Sequence, residues 1–217
     1  MKNSNKVSKY RLNIPFLAIL ATGWLWLAAC STPEKEEKLP ILGQREVEGN
    51  DTIYHTIDKF QFVDQDSAII TNQTFDGKIY VADFFFTSCR TICPVMKTQM
   101  LRVYDSIQDM PDVLLLSHTI DPEYDTVALL HDYADRLGVK SDKWHFVTGP
   151  QDDIFKIAQT SYFATAMTDE AEPDGYIHSG AFLLIDKKGR IRGKYDGTLA
   201  EEVDKLVKDI KTLRKEK

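Results

Sequence analysis

A nearly continuous run of apolar, strand-forming residues in the middle of the chain limits the folds open to it. Residues 78–86 are Lys-Ile-Tyr-Val-Ala-Asp-Phe-Phe-Phe, and such a run is typical of a strand buried on both faces. Strands of this kind occur in sheets that carry helices on both sides, because each face needs an apolar cover. The run therefore predicts an α/β domain with this strand near the centre of its sheet.

Two cysteines follow this predicted strand directly and precede a predicted helix. Residues 87–94 are Thr-Ser-Cys-Arg-Thr-Ile-Cys-Pro, and the apolar residues after them recur at helical spacing: Met96, Met100, Val103, Tyr104 and Ile107. Pro94 suits the first turn of a helix, where its missing N–H has no intrahelical partner. We therefore expect Cys89 and Cys93 at the carboxyl end of a central strand, where ligands bind in open α/β sheets.

The rest of the chain alternates between strand and helix patterns. Loose alternation over residues 53–63 and a polar turn at residues 64–67 predict an N-terminal hairpin. Strands are also predicted at residues 113–117, 144–147, 181–185 and 190–195, and helices at residues 126–137, 152–160 and 199–213. The last helix has a capping-box sequence at residues 198–201.

This order predicts a thioredoxin-like α/β fold with a central mixed sheet and helices on both faces. Residues 162–176, which precede the C-terminal hairpin, show no clear period and are predicted to be a long loop. Loops of this length within a compact domain are often functional.

The first thirty residues have the pattern of a secretory signal. Four basic residues precede an apolar stretch at residues 14–29, which ends in Leu-Ala-Ala before Cys30. This ending resembles a bacterial lipobox, whose cysteine becomes the lipidated N-terminus. We predict a lipoprotein signal peptide at residues 1–29, a lipidated Cys30 and flexible spacer at residues 30–50, and a folded domain at residues 51–217. An uncleaved anchor helix is the alternative, although 16 residues are few for a membrane span.

This N-terminus predicts a bacterial cell-envelope protein, held by lipid with its domain outside the cytoplasm, on the periplasmic side. Residues 1–29 carry four of the 27 basic residues and none of the 33 acidic residues, so the processed chain is acidic. Acidic surfaces do not suit nucleic acid, which binds basic faces. With Cys30 assigned to lipid, Cys89 and Cys93 remain as two thiols in a compartment that permits their oxidation.

Two thiols at this spacing can either exchange disulfides or bind a metal ion. The positive end of a helix favours the thiolate that both reactions need. In a helical segment their Cα atoms would lie about 6 Å apart, a distance compatible with a disulfide or with a shared metal ion. A purely structural disulfide would contribute little stability, because it closes a very short loop.

A metal site needs further ligands, and the candidate histidines are His55, His118, His131, His145 and His178. His131 lies in a polar helical stretch and His145 in a strand, so structural or surface roles are expected there. His118 and Asp121 follow a predicted strand and can face the thiols, and a role in a turn or at the start of a helix is the alternative for Asp121. His178 ends the predicted long loop. One imidazole with two thiolates suits copper, whereas a closed zinc site has a fourth ligand.

Residues 52–213 resemble the Sco/SenC family, thioredoxin-fold copper proteins that assist assembly of the CuA centre of cytochrome c oxidase. The matching segments, in order, are the Cys-x-x-x-Cys-Pro segment at 85–94, Thr-Ile-Asp-Pro-Glu-Tyr-Asp-Thr at 119–126, His-Ser at 178–179 and the closing hairpin at 184–189. The resemblance implies Cys89, Cys93 and His178 as ligands of Cu(I) and Cu(II), with Asp121 as a weak or outer ligand. The implied partner is the CuA-bearing subunit of cytochrome c oxidase or another copper protein.

Two positions depart from the family pattern. Arg90 stands where the family often has Pro, and Ile177 stands where it commonly has Asp. Both changes make the site more positive, and the more highly charged ion is more sensitive to nearby charge. We therefore expect weaker binding of Cu(II) relative to Cu(I).

Asp83 keeps a second function open. It lies six residues before Cys89, as does the buried Asp of thioredoxins, and a buried carboxyl can accept a proton near neutral pH. An edge position or a bond to backbone is the alternative for Asp83. The alternative function is a metal-free thiol–disulfide oxidoreductase, although typical redox sites of this fold separate the thiols by two residues rather than three. A peroxidase of the same fold and a binding module without chemistry are also open.

Overall fold

The computed structural model describes residues 38–169 and 175–216 of the chain. The strands in these ranges are β1 (Arg45–Glu48), β2 (Asp51–Tyr54), β3 (Gln61–Asp64), β4 (Ile69–Thr71), β5 (Ile79–Phe85), β6 (Val113–Thr119), β7 (Trp144–Thr148), β8 (Ala166–Thr168), β9 (Tyr176–His178), β10 (Ala181–Ile185) and β11 (Ile191–Asp196). The helices are a 3-10 helix (Asn72–Phe75), α1 (Cys93–Ser106), α2 (Val127–Leu137), α3 (Gln151–Thr160) and α4 (Ala200–Lys215).

Seven strands form one mixed sheet in the order β11-β10-β5-β6-β7-β3-β4. β5, β6 and β7 run parallel, an antiparallel β10–β11 pair borders β5, and an antiparallel β3–β4 pair borders β7. The predicted turn at residues 64–67 joins β3 to β4. Every residue of β5 and β6 is buried, so the predicted central strand and mixed sheet are confirmed.

The side chains of β5 alternate between two covered faces of the sheet. Asp83 points to the face covered by α1 and α2, where Met96 and Tyr133 line the same small cavity. Phe84, the next residue, points to the opposite face and packs against Tyr162, which follows α3. The cysteine-bearing helix α1 therefore covers one face of the central strand, the face to which Asp83 points.

The folded domain begins before residue 51, the boundary expected from the sequence. The backbone N–H of Leu39 donates to Glu216 (2.7 Å), and the Arg192 guanidinium donates to the carbonyl of Leu39 (2.6 Å). β1 and β2 form a separate two-stranded hairpin at residues 45–54. The predicted signal peptide and Cys30 lie outside the described residues. Within the described ranges, no helix is both long and apolar enough to cross a bilayer.

Part of the predicted long loop is instead a small hairpin. β8 and β9 pair with each other in an antiparallel two-stranded sheet and do not join the seven-stranded one. Residues 170–174, between the two strands, lie outside the described residues. Three-residue strands are too short to give a clear alternation in sequence, which explains why the periodicity missed them.

The predicted capping box at the start of α4 is wrong. Leu199 is the N-cap residue, and it makes no side-chain capping bond. The hydroxyl of Thr198 donates instead to the carboxylate of Asp196 (2.6 Å). Thr198 thus belongs to the turn that follows β11, and α4 begins one residue later than the capping box requires.

Candidate metal and redox site

The carboxyl end of β5 and the start of α1 bring the two cysteines together. β5 ends at Phe85, the N–H of Cys89 then closes a turn on the carbonyl of Phe86 (3.3 Å), and α1 begins at Cys93. Pro94 occupies the first turn of α1, as predicted. The residues between the cysteines are not helical. Both cysteines are buried with free thiols.

β9 brings His178 to these thiols from 85 positions further along the chain. Nε2 of His178 lies 3.2 Å from Sγ of Cys93, and the ligand atoms of Cys89, Cys93 and His178 all lie within 4.8 Å of one another. No other group of three metal-ligating side chains converges in this way among the described residues. The structure therefore brings together the three residues that the resemblance implied as ligands.

Hydrogen bonding divides the two thiols into a thiolate and a thiol. The thiol of Cys93 donates to Cys89, which holds the pKa of Cys89 far below its ordinary value, and His178 and Thr91 act in the same direction against burial. The pKa of Cys93 is raised because it shares its proton with the neighbouring thiolate and is buried. The hydrogen bond therefore favours the thiolate at Cys89 and the protonated thiol at Cys93.

Asp83 lies beneath Cys93, on the face of the sheet that α1 covers. Burial raises the pKa of Asp83 to about 6, although a hydrogen bond from Ser117 opposes this shift. Trp144 in turn donates its indole N–H to the Ser117 hydroxyl (2.8 Å). Asp83 and Cys93 line a common cavity of about 10 Å³, roughly the space of one water molecule. Asp83 is thus held by a side chain in the interior rather than placed at an edge.

Asp121 lies at the end of β6 and contacts the strand that carries His178. Its Oδ1 accepts a hydrogen bond from the hydroxyl of Tyr176 in β9 (3.0 Å). Gln151 donates to the carbonyl of Ile120 (3.2 Å) and reaches the same Tyr176 oxygen at 3.5 Å. Asp121 does not belong to the converging group of ligand atoms. Its observed contact with the site passes through Tyr176.

Asp125 is a buried residue that the sequence did not single out. Its carboxylate accepts hydrogen bonds from the backbone N–H of Thr87 (3.0 Å), from the Thr87 hydroxyl and from the Thr119 hydroxyl (2.5 Å). Thr87 lies two residues before Cys89, and Thr119 ends β6. Burial raises the pKa of Asp125 against these donors. The only sequence signal was the position of Asp125 in the segment that resembles the family.

The remaining histidines lie away from the thiols. The prediction that His118 can face the thiols is wrong, because its ring stacks on Phe84 (5.0 Å) on the opposite face of the sheet. His145 is buried and pairs with Asp64 (2.9 Å). His131 is exposed on α2, and His55 bonds a backbone carbonyl.

The arrangement suits a soft metal ion or a disulfide exchange. Two sulfurs and an imidazole nitrogen give three ligands, a set that suits copper better than a closed four-ligand zinc site. The thiolate of Cys89 is also the nucleophile that thiol–disulfide exchange requires.

Comparisons with family models, curated proteins and solved structures all identify the same family. The SCO1/SenC family model matches residues 49–215. The SCO1 protein homolog of Bacillus subtilis (strain 168) is 30% identical over 164 residues, which cover 75% of this chain and 84% of the relative. The solved structure of a SCO1/SenC family lipoprotein from Bacillus anthracis str. Ames is 29% identical, with a TM-score of 0.68, and covers 74% of this chain and 96% of the other.

Two further structures resemble this fold. BsSco, described as a member of the Sco family of cytochrome c oxidase assembly proteins, is 30% identical with a TM-score of 0.66, over 75% of this chain and 95% of its own. Copper-bound ScoI from Arabidopsis thaliana is 26% identical with a TM-score of 0.59, over 71% and 97%. These neighbours confirm the thioredoxin-like architecture. Because the family match spans nearly the whole described domain, the chain belongs to the SCO1/SenC family.

Proposed function

We propose that the protein binds copper as its cargo through Cys89, Cys93 and His178 and delivers it to the CuA centre during assembly of cytochrome c oxidase. The observation that carries this proposal is the approach of two sulfurs and one imidazole nitrogen to within 4.8 Å of one another. Thiolates favour Cu(I), and imidazole also suits copper. Family membership and the copper-bound relative from Arabidopsis support the assignment.

Loading copper requires the second thiol to lose its proton, since metal ions bind thiolates. The hydrogen bond between the thiols lowers the pKa of Cys89 and raises that of Cys93, so Cys93 is the thiol whose proton must be removed. Asp83 shares a water-sized cavity with Cys93, and its pKa of about 6 lets it take up a proton transiently. We therefore assign Asp83 the role of proton acceptor for Cys93. Asp121, which does not belong to the converging group of ligand atoms, is assigned at most the role of an outer or weak ligand.

The recipient in this proposal is the CuA-bearing subunit of cytochrome c oxidase or another copper protein of the cell envelope. Lipid on Cys30 would hold the domain at the membrane on the periplasmic side. The signal pattern of residues 1–30 supports this tether, as does the lipoprotein relative from Bacillus anthracis. In membrane fractionation, Cys30→Ser should move the protein to the soluble fraction, and continued membrane association would contradict the tether.

The same dithiol can reduce a disulfide at the recipient site. The Cys89 thiolate attacks one sulfur of the recipient disulfide, forms a mixed disulfide and releases a recipient thiolate, which takes up a proton. Cys93 then gives its proton to Asp83, attacks the Cys89 sulfur of the mixed disulfide and releases the second recipient sulfur as a thiolate, which takes up a proton from water. The recipient disulfide is reduced by two electrons as a Cys89–Cys93 disulfide forms. Loss of the Asp83 acceptor in Asp83→Asn should slow the second step in insulin-reduction assays.

A copper titration tests the binding proposal. Reduced protein given Cu(II) should develop an intense thiolate-to-copper charge-transfer band at one equivalent, and His178→Ala should shift it. His131→Ala is the matched control, because His131 is exposed and lies away from the thiols, and it should leave the band unchanged. A colourless protein that still reduces insulin would favour the metal-free oxidoreductase instead.

Two departures from the family pattern bear on the relative affinity for Cu(I) and Cu(II). Arg90 is exposed in the segment between the cysteines, and Ile177 occupies the position before His178. We propose that this more positive surrounding disfavours Cu(II) more than Cu(I). Arg90→Pro should raise the affinity for Cu(II) relative to Cu(I), and an unchanged ratio would contradict the proposal.

A further inference from the structure

We infer that Tyr176 and Asp121 form a latch that seats His178 over the two thiols and sets how readily copper leaves. The latch is the hydrogen bond from the Tyr176 hydroxyl to Asp121 Oδ1 (3.0 Å). Tyr176 acts here as a positioning residue, because its hydroxyl bonds Asp121 and is not one of the converging ligand atoms. This inference rests on the proposed function and names the element that regulates its site.

Apart from the pairing of its two strands, the hairpin that carries His178 is held by a small set of contacts, which include a bond from the Gln159 side chain to the carbonyl of Ala166 in β8 (2.8 Å). Among the strands of residues 38–169 and 175–216, β9 pairs only with β8, and neither strand joins the seven-stranded sheet. An isolated two-stranded hairpin is marginally stable in water. The position of the imidazole therefore depends on side-chain contacts between the hairpin and the rest of the domain.

Tyr176 supplies such a contact on the same side of β9 as His178. The two residues are separated by one position, so their side chains point to the same face of the strand. Both rings pack against Phe86, with centroid distances of 5.3 Å for Tyr176 and 5.7 Å for His178. A hydroxyl anchored beside this shared surface fixes the strand close to the imidazole.

The acceptor side of the latch is rigid. The backbone N–H of Asp121 donates to the Thr119 hydroxyl (3.1 Å), and the carbonyl of Asp121 accepts from the N–H of Asp125 (2.8 Å). These bonds tie Asp121 to the end of β6, next to the strand that leads to Cys89. The latch therefore connects the two halves of the site: the imidazole on the hairpin and the thiols on the sheet.

Opening the latch would free the imidazole while both sulfurs stay in place. A ligand set reduced from three to two holds copper less tightly, so a recipient site can capture the ion more easily. Loss of a hydrogen bond to a charged group should raise the fraction of molecules with an open hairpin about tenfold. We therefore expect a change of that size in both hairpin opening and copper release.

The test compares Tyr176→Phe with Tyr124→Phe. The first removes the hydroxyl and keeps the ring against Phe86, and the second makes the same change at an exposed tyrosine. In the metal-free, reduced protein, amide hydrogen exchange over residues 175–179 should be about tenfold faster in Tyr176→Phe only. In the Cu(I)-loaded protein, transfer to the chelator bicinchoninate should accelerate by a similar factor.

A double-mutant cycle separates the latch from packing. Asp121→Asn keeps a neutral acceptor and should give a smaller effect in the same direction. The double variant should behave like Tyr176→Phe alone, because both substitutions act on the same hydrogen bond. Additive effects, or hydrogen exchange equal to wild type in Tyr176→Phe, would overturn the latch. The hydrogen-exchange measurement uses metal-free protein, so it tests the latch whether or not copper binds. Failure of the protein to bind copper would contradict the proposed function only.

Discussion

The ring of His118 is fully buried among aromatic side chains, and neither of its nitrogens has a hydrogen-bond partner within the described residues. It stacks on Phe84 and lies edge-on to Phe62 (5.4 Å). Burial lowers the pKa of His118 to about 3. A buried polar ring without partners costs stability. Because the buried ring resists protonation, this residue also makes the fold sensitive to acid.

We predict that His118→Leu flattens the acid dependence of stability. In the unfolded chain this histidine takes up a proton below about pH 6.5, whereas in the folded chain it stays neutral until about pH 3. Proton uptake by the unfolded chain therefore lowers the free energy of unfolding as pH falls through this window, by about 1.4 kcal/mol per pH unit. Urea unfolding between pH 6 and pH 4 should show a slope smaller by that amount in the variant.

His131→Leu is the control for this measurement. His131 is exposed, and hydrogen bonding to Asp66 raises its pKa. Its removal therefore has the opposite effect on the pH dependence of the free energy of unfolding and should not flatten the slope. Parallel stability curves for wild type and His118→Leu would contradict the account of His118.

Among the elements, the loop between β5 and α1 is the one on which the site depends most. It is held from below by Asp125, which accepts three hydrogen bonds from Thr87 and Thr119. These bonds join the end of β5 to the end of β6, just before Cys89 and Asp121 respectively. One carboxylate therefore ties the start of the loop to β6, beyond the last sheet pair of Phe85 and Thr119.

We predict that Asp125→Ala lowers the free energy of unfolding by about 3 kcal/mol, because it leaves the buried hydroxyl of Thr119 and the half-buried donors of Thr87 without an acceptor. The charge-transfer band of the copper complex should also broaden, since Cys89 loses its anchor. Urea unfolding and optical titration of the same sample measure the two effects. Asp132→Ala, on the exposed face of α2, should change neither. A loss below 0.5 kcal/mol at Asp125 would contradict its role.

The sequence predicted the elements whose signal is local. The apolar run of β5, the proline at the start of α1 and the helical spacing after it placed Cys89 and Cys93 correctly. The β8–β9 hairpin was missed because three-residue strands have no visible period. The bonds of Asp121 and Asp125 join residues brought together only by the sheet, so local pattern could not predict them. His118 was misplaced because its direction depends on strand register, where one residue changes the face.

At the scale of the whole molecule, the N-terminal segment joins the domain at the end of the sheet opposite the thiols. Leu39 meets Arg192 near the start of β11, and the register passes through β10 to Tyr80, near the amino end of β5. Cys89 follows the carboxyl end of the same strand. Seven residues of β5 span about 20 Å. A tether attached at Leu39 would thus leave the copper site accessible to a recipient.

X-ray absorption at the copper edge tests the central claim most directly. The reduced, Cu(I)-loaded protein should show two sulfur ligands and one imidazole nitrogen. His178→Ala should lose the imidazole and keep both sulfurs, and Cys93→Ser should lose one sulfur. An imidazole contribution that persists in His178→Ala, or copper bound without sulfur, would contradict the account.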